Sequence, residues 1–215
     1  RDAVGQSIYE NTKVGKSNDG GAIIVKYNLD GKLIWEKSLG DSKSGIFNDV
    51  ILYNGYLYCV GKEDNRTVII AKYDLDGNLV ITNDYKYTDA LGFTGIALLN
   101  DYLYVSTGKR ITESDTDAMI VKYDLDLTYV DEESYNGGNV ERINKIISDS
   151  KEHIIMIGNG YTREDDESVH SDGIIAKYTT NLNKIAVVSY GDEKDDYFND
   201  ILLEDEDYLV VGYSS

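Results

Sequence analysis

One phrase recurs along this chain of 215 residues: "IIVKYNLDGKLIW" at 23–35, "IIAKYDLDGNLVI" at 69–81, "MIVKYDLDLTYV" at 119–130 and, in worn form, "IIAKYTTNLNKIAVV" at 174–188. Aligned on its lysine, at Lys26, Lys72, Lys122 and Lys177, it advances in steps of 46, 50 and 55. An independent apolar anchor, Phe47, Phe93, Ile143 and Phe198, keeps the same steps. A third anchor is a glycine after an apolar run, at Gly61, Gly108, Gly158 and Gly212, and "VGK" at 14–16 precedes "VGK" at 60–62 by one step of 46. Whole units are therefore repeated, not short words. Each unit holds four strand-length, β-rich runs, such as "FNDVILY", "YLYCVG", "TVIIAKYD" and "NLVIT", and none has helical spacing. Four strands per unit of 46–55 residues predict an all-β chain, a β-propeller of four-stranded antiparallel blades, with successive blades over 47–204. A solenoid of hairpins is the runner-up.

Residues 1–215 read as one repeat array of about four and a half copies. A closed four-bladed ring needs only one of the end pairs, 1–16 or 197–213. An excerpt of a larger ring is the favoured reading, in keeping with a chain that opens on Arg1 and not on Met. If so, the terminal blade edges are expected to drive association.

Charge narrows the partners. Twenty-one Lys and Arg stand against 39 Asp and Glu, a formal net charge of −18, which repels nucleic-acid phosphates and anionic lipid. No apolar run has the roughly 18 residues of a membrane helix, so neither nucleic acid nor membrane insertion is expected. The single cysteine, Cys59, lies in the apolar run "YLYCV" and reads as a buried thiol. Proline is absent, so chain reversals fall to Gly, Asn and Asp, as in "LDG", "YNGY" and "LNDY".

The unit "SDGIIAKYTTNLNKIAVVSYGDEKDDYFNDILLEDEDYLVVGYSS" resembles the bacterial β-propeller repeats of exported and cell-surface proteins: a "VKYDLDG"-like hairpin, an aromatic-apolar strand, "GD…DDYFNDI", then "YLVVGYS". The resemblance covers the chain from about residue 14. It implies a propeller and an extracellular or cell-surface location, and it carries no catalytic residues. Two departures stand out: Leu127 replaces the turn glycine of Gly31 and Gly77, and Lys145 replaces the acid of Asp49 and Asp200.

Chemical motifs are weak. "VGKS" at 14–17 lacks the earlier glycine of a phosphate loop, Glu10 standing in its place, and Ser148 with Lys151 occupies a turn, not a helix. Asp74 and Asp76 in "DLDG" read as turn formers rather than calcium ligands, because the glycine comes too early for an EF-hand loop. His153 and His170 have no third ligand nearby in sequence, so neither a metal site nor a cofactor is assigned. Tyr27, Tyr73, Tyr123 and Tyr178 share one repeat position and Tyr56, Tyr102 and Tyr208 another, which suits packing between blades with the hydroxyl at the edge. Trp35 aligns with Ile81 and reads as core. The four repeat lysines read as structurally paired. Asp131 is the nearest thing to an acid at an inward, otherwise apolar position.

In a four-strand meander the second-to-third turn and the blade-to-blade connection lie on the same side. That side varies: from the anchor glycine to the lysine takes 11, 14 and 19 residues in successive units, and it is acidic, with "TESDTD", "TREDDESVHSD" and "GDEKDD". Loops free to differ on a fixed scaffold carry function. The expected ligand contacts are Tyr161, Asp165, Asp166, Glu167, His170, Asp172, Asp195 and Tyr197, in a non-catalytic binding or scaffold module whose partner is a protein or a glycan. The alternative is a glycan-acting hydrolase or lyase with carboxylates near the propeller axis.

Overall fold

The computed structural model describes residues 8–9, 12–16, 21–40, 45–63, 67–85, 90–137, 141–149, 151–163, 169–192 and 194–215, and all structural statements concern these. They form strands and no helix. The first sheet takes β1 (Ile8–Tyr9), β2 (Thr12–Lys16), β3 (Ala22–Tyr27) and β4 (Leu33–Leu39), in chain order. The second takes β5 (Ile46–Tyr53), β6 (Tyr56–Lys62), β7 (Val68–Asp74) and β8 (Leu79–Tyr85). The third takes β9 (Ala90–Leu99), β10 (Tyr102–Thr112), β11 (Asp115–Asp124) and β12 (Tyr129–Tyr135). The fourth takes β13 (Glu141–Ser148), β14 (His153–Arg163), β15 (Val169–Thr179) and β16 (Lys184–Tyr190). The last has two strands, β17 (Asp196–Glu204) and β18 (Asp207–Ser214). Each sheet is an antiparallel meander, and the four-stranded blades expected over 47–204 are present, followed by half of another.

By packing, the chain divides into two compact units, residues 1–96 with 125–128, and residues 97–124 with 129–215. The first has a core of Ile24, Phe47, Val50, Leu57, Cys59, Ile69 and Tyr73, with Trp35 packed against it. The second is built on Tyr104, Ile120, Ile146, Ile154, Met156 and Tyr178, with a smaller cluster at Ile155, Ile157 and Ile201. Third strands β7 and β11 are buried along nearly their whole length, whereas fourth strands β8 and β12 are largely exposed. Continuous apolar runs such as "VIIA" fit strands covered on both faces.

The anchor glycines have a steric cause. The ladder slips between Phe47 and Asp49, a bulge that brings the Ile46 carbonyl against Gly61, so that a Cβ there would overlap the oxygen. Gly158 meets the Arg142 carbonyl and Gly212 the Tyr197 carbonyl in the same way. The third repeat differs from the sequence reading. Gly108 pairs with Ala118, one place beyond the register of Gly61 with Ile69, and Thr107 opposite Met119 holds the equivalent position.

The third-to-fourth turns survive the loss of their glycine. Leu127 and Leu182 adopt φ of 61° and 60°, beside 79° and 78° at Gly31 and Gly77, and both leucines are buried. Left-handed backbone costs a branched residue about 1–2 kcal/mol, and burying the side chain gains about 1.5–3 kcal/mol, so packing offsets the strain.

The repeat lysines tie each sheet to the next turn. In the first unit Lys26 Nζ donates to the Leu75 carbonyl at 3.0 Å, together with Trp35 Nε1 at 3.2 Å. Lys72 Nζ donates to the Leu125 carbonyl at 2.9 Å, beside Tyr58 Oη at 3.4 Å. In the second unit Lys122 Nζ and Tyr104 Oη each reach the Thr180 carbonyl at 2.8 Å. Lys177 differs, donating to Tyr208 Oη at 3.2 Å with Asp149 Oδ2 at 3.7 Å.

Candidate functional site

Three strands of the second unit bring sequence-chosen residues together. β14 and β15 run side by side to the second-to-third connection, with Gly160 opposite Asp172, Tyr161 opposite Ser171 and Thr162 opposite His170. Asn159 Nδ2 donates to Ser171 Oγ at 2.9 Å, and the Ser171 N–H donates to Asp195 Oδ1 at 2.8 Å, which fastens the residue before β17 to the start of β15. Tyr197, the second residue of β17, stacks on Tyr213 at 4.7 Å between ring centres. Burial, then the charge of Asp195 and the nearness of Tyr161 and Tyr213, push the Tyr197 phenol up, while a bond to the Ser171 side chain opposes them. His170 Nε2 lies 3.4 Å from Asp172 Oδ1.

Five expected contacts, Tyr161, His170, Asp172, Asp195 and Tyr197, therefore gather at one end of β14, β15 and β17. Asp165, Asp166 and Glu167 lie outside the described residues. His170 is buried, so the ring braces Asp172 more than it faces solvent. A groove of about 720 Å³ adjoins the cluster, lined by Ile175, Tyr190, Asp196, Tyr197, Phe198 and Tyr213. Acidic oxygens beside aromatic faces suit a ligand with cationic or hydroxyl groups on an apolar ring or stem.

A second acidic group escaped the sequence reading. Counting back five residues from the repeat lysine gives Asp117 and Asp172; counting back seven gives Asp115 and His170. Two residues before the apolar anchor stand Gly45, Leu91, Glu141 and Asp196. Thus Asp115, Asp117 and Glu141 between the third and fourth sheets occupy the same places as His170, Asp172 and Asp196 between the fourth and fifth. In the latter set a side chain at Gly191 would run into the carboxylates of both Asp172 and Asp196. Glu141 and Asp196 are acids at positions that are apolar or glycine earlier in the chain, and both are buried. That signal was present in the repeat register, whereas Asp131, the residue singled out for it, is exposed. Among the described residues no three His, Cys, Asp or Glu side chains are arranged to hold a metal ion.

Four-stranded meanders repeating in this register define the chain as β-propeller-like, with blade-like sheets. Solved structures agree with that class. The chain is similar to the protein described as YjhT, at TM-score 0.60 and 10% identity, over 98% of this chain and 76% of that one. It is similar to an apocarotenoid oxygenase mutant of Synechocystis, at TM-score 0.54 and 9% identity, over 94% of this chain and 52% of that one. A neuraminidase-like protein from A/bat/Guatemala/164/2009 matches at TM-score 0.52 and 10% identity, over 80% of this chain and 45% of that one. The chain thus spans about half the length of the latter two proteins. At such identity the likeness is one of fold alone. No family model matches the chain, and no curated protein matches it.

Proposed function

We propose that the chain is a non-catalytic binding or scaffold module of an exported or cell-surface bacterial protein, with ligand contacts on the variable acidic side. One observation carries the reading: Tyr161, His170, Asp172, Asp195 and Tyr197, chosen from loop variability, gather around the Asp195–Ser171 bond with a groove beside them. The partner is a glycan or a protein segment that offers cationic or hydroxyl groups. Supporting the glycan is the pairing of carboxylates with the aromatic faces of Tyr161, Tyr197 and Tyr213.

A glycan array and immobilised bacterial cell-wall material serve as probes. The wild-type chain is expected to bind, and the combination of Tyr161→Ala, Asp165→Asn, Asp166→Asn and Glu167→Gln to weaken binding about tenfold or more, some 1.4 kcal/mol, with the melting temperature nearly unchanged. Undiminished binding by that variant contradicts the assigned face, as does a footprint confined to the Asn54–Gly55 and Asp74–Gly77 turns.

The alternative, a glycan-acting hydrolase or lyase, draws on one observation. Glu141 is pushed up to about 7, chiefly by burial and further by Asp117 and Asp115, against a backbone bond from Gly137. An acid whose value is pushed up beside further carboxylates is the pattern of an acid–base pair. Glu141 is only 1% exposed, however, and a general acid must reach its substrate.

A further inference from the structure

At the junction between the third and fourth sheets two buried acids, Asp117 and Glu141, stand where the first two junctions have none: the equivalents are Gly21 with Gly45 at the first and Thr67 with Leu91 at the second. Asp115, whose equivalents are Asp19 and Asn65, adds a third acid. At the third, Glu141 opens β13 while Asp115 and Asp117 open β11, all within the second unit. Glu141 Oε1 accepts the Gly137 N–H at 3.2 Å. Its other oxygen, Oε2, is buried without a hydrogen-bond partner, and so are Asp115 Oδ1 and Asp117 Oδ1. Glu141 and Asp117 are 1% and 7% exposed.

Three such carboxylates ionised together would be doubly unfavourable, since each loses hydration and each repels the others. Facing groups do little to relieve this. β10 offers Lys109, opposite Asp117, which lowers that carboxyl but not enough to outweigh burial and Asp115. β12 offers the Tyr135 phenol, whose own proton is held more tightly because of burial and Glu141. β14 meets Glu141 with Gly160, which has no charge. β17, which packs against β13, brings Asp196, another acid. At the next junction the position of Asp115 is taken by His170, which can carry a positive charge beside Asp172. The third junction has no histidine at that place, only Lys109 opposite Asp117, and its acids are not arranged as a metal cage.

We propose that this junction is a proton-binding site: Glu141 is carried as the neutral carboxylic acid against Asp115 and Asp117, and its ionisation loosens the third sheet from the fourth. The sign follows from linkage. A carboxyl whose folded value lies above its ordinary 4.5, at about 7, is neutral in the fold and charged in the unfolded chain between those values. Its contribution is complete below the ordinary value and is lost as pH rises through about 7.

The test compares melting of the wild-type chain and Glu141→Gln, with exposed Glu204→Gln as control, from about pH 5.5 to about pH 8.5. Glutamine copies the neutral acid. Wild type and the control are expected to lose several degrees between the two ends, while Glu141→Gln loses markedly less and melts above wild type at the alkaline end. Equal slopes for wild type and Glu141→Gln overturn the proposal. Should the variant fold poorly, a carboxyl-carbon NMR titration of wild-type Glu141 decides: a midpoint near 7 supports the site, and one near the ordinary value overturns it. Calcium chloride that raises wild-type melting at the alkaline end but leaves Glu141→Gln unmoved would also overturn it, replacing the proton by a cation.

Discussion

The repeat position of Tyr73 and Tyr178 predicts packing residues with their hydroxyls at an edge, and only the packing holds. Both side chains are enclosed, their hydroxyls buried without a partner, and burial pushes both phenols up. An unpaired buried hydroxyl costs about 1–3 kcal/mol. Tyr73→Phe and Tyr178→Phe should each raise stability by about 1 kcal/mol in urea unfolding; a comparable loss would reveal a partner. Leu127 gives a sharper test, because its backbone is left-handed and its side chain buried. Leu127→Ala keeps the strain and loses packing, about 2–5 kcal/mol, whereas Leu127→Gly loses the packing but relieves the strain. Alanine should therefore be the worse replacement, the reverse of the usual order. The turn itself was legible in "DLDG": Asp74 Oδ1 accepts the N–H groups of Asp76 and Asn78 at 2.9 and 2.8 Å. What replaces the glycine was not, since composition cannot say that a leucine has a pocket waiting. Tyr208, read as the equivalent of Tyr56 and Tyr102, stands one place further along: Tyr56 closes its hairpin opposite Tyr53, while Tyr208 pairs with Leu203 inside the closing pair Glu204 and Asp207. A tyrosine-rich strand hides a slip of one residue, which the ladder shows and the spacing from Phe198 agrees with.

Strands and sheets were the most legible scale, because two anchors in one register leave little freedom. The partners of the repeat lysines were not, because each lies in the following repeat. Lys122 is buried, its charge disfavoured by desolvation, and it meets the Thr180 carbonyl 58 residues away while lying over the Tyr102 ring at 4.1 Å. Such a bond from a charged donor contributes about 1.5–3 kcal/mol. Lys122→Met, which keeps the apolar stem, should lose about 2 kcal/mol in denaturant unfolding, and Lys26→Met, at a more exposed bond, clearly less. No loss in either variant would mean that the lysines serve by their stems alone. The candidate site divides in the same way. Loop variability points to Tyr161, His170, Asp172, Asp195 and Tyr197 and includes Asp117 only as one charge of "TESDTD", whereas Glu141 stands outside the acidic runs and becomes conspicuous only against the glycine and leucine of earlier repeats.

Across the whole molecule, two acids pull stability in opposite directions with pH. Asp149 is held well below the usual carboxylate range: burial raises it, but bonds from the Tyr208 hydroxyl at 2.7 Å, the His153 N–H at 2.8 Å and the Lys151 N–H at 2.9 Å prevail. Its contribution is present above the ordinary value of 3.8 and is lost as pH falls below it. Glu141 contributes most in acid and loses its share through about 7. Stability should therefore peak between those limits, and Asp149→Asn should blunt the acid loss without touching the alkaline one. The net charge of −18 adds self-repulsion that salt screens, so melting should also rise with sodium chloride. Beneath these effects lies the central claim, a chain of four-stranded sheets in a register of 46, 50 and 55 residues. Amide hydrogen exchange tests it most directly. The slowest exchange is expected in three register-equivalent pairs, β6 with β7, β10 with β11 and β14 with β15, and fast exchange in β8, β12 and β16. Protection that ignores the repeat, or that is strongest in the fourth strands, would contradict it.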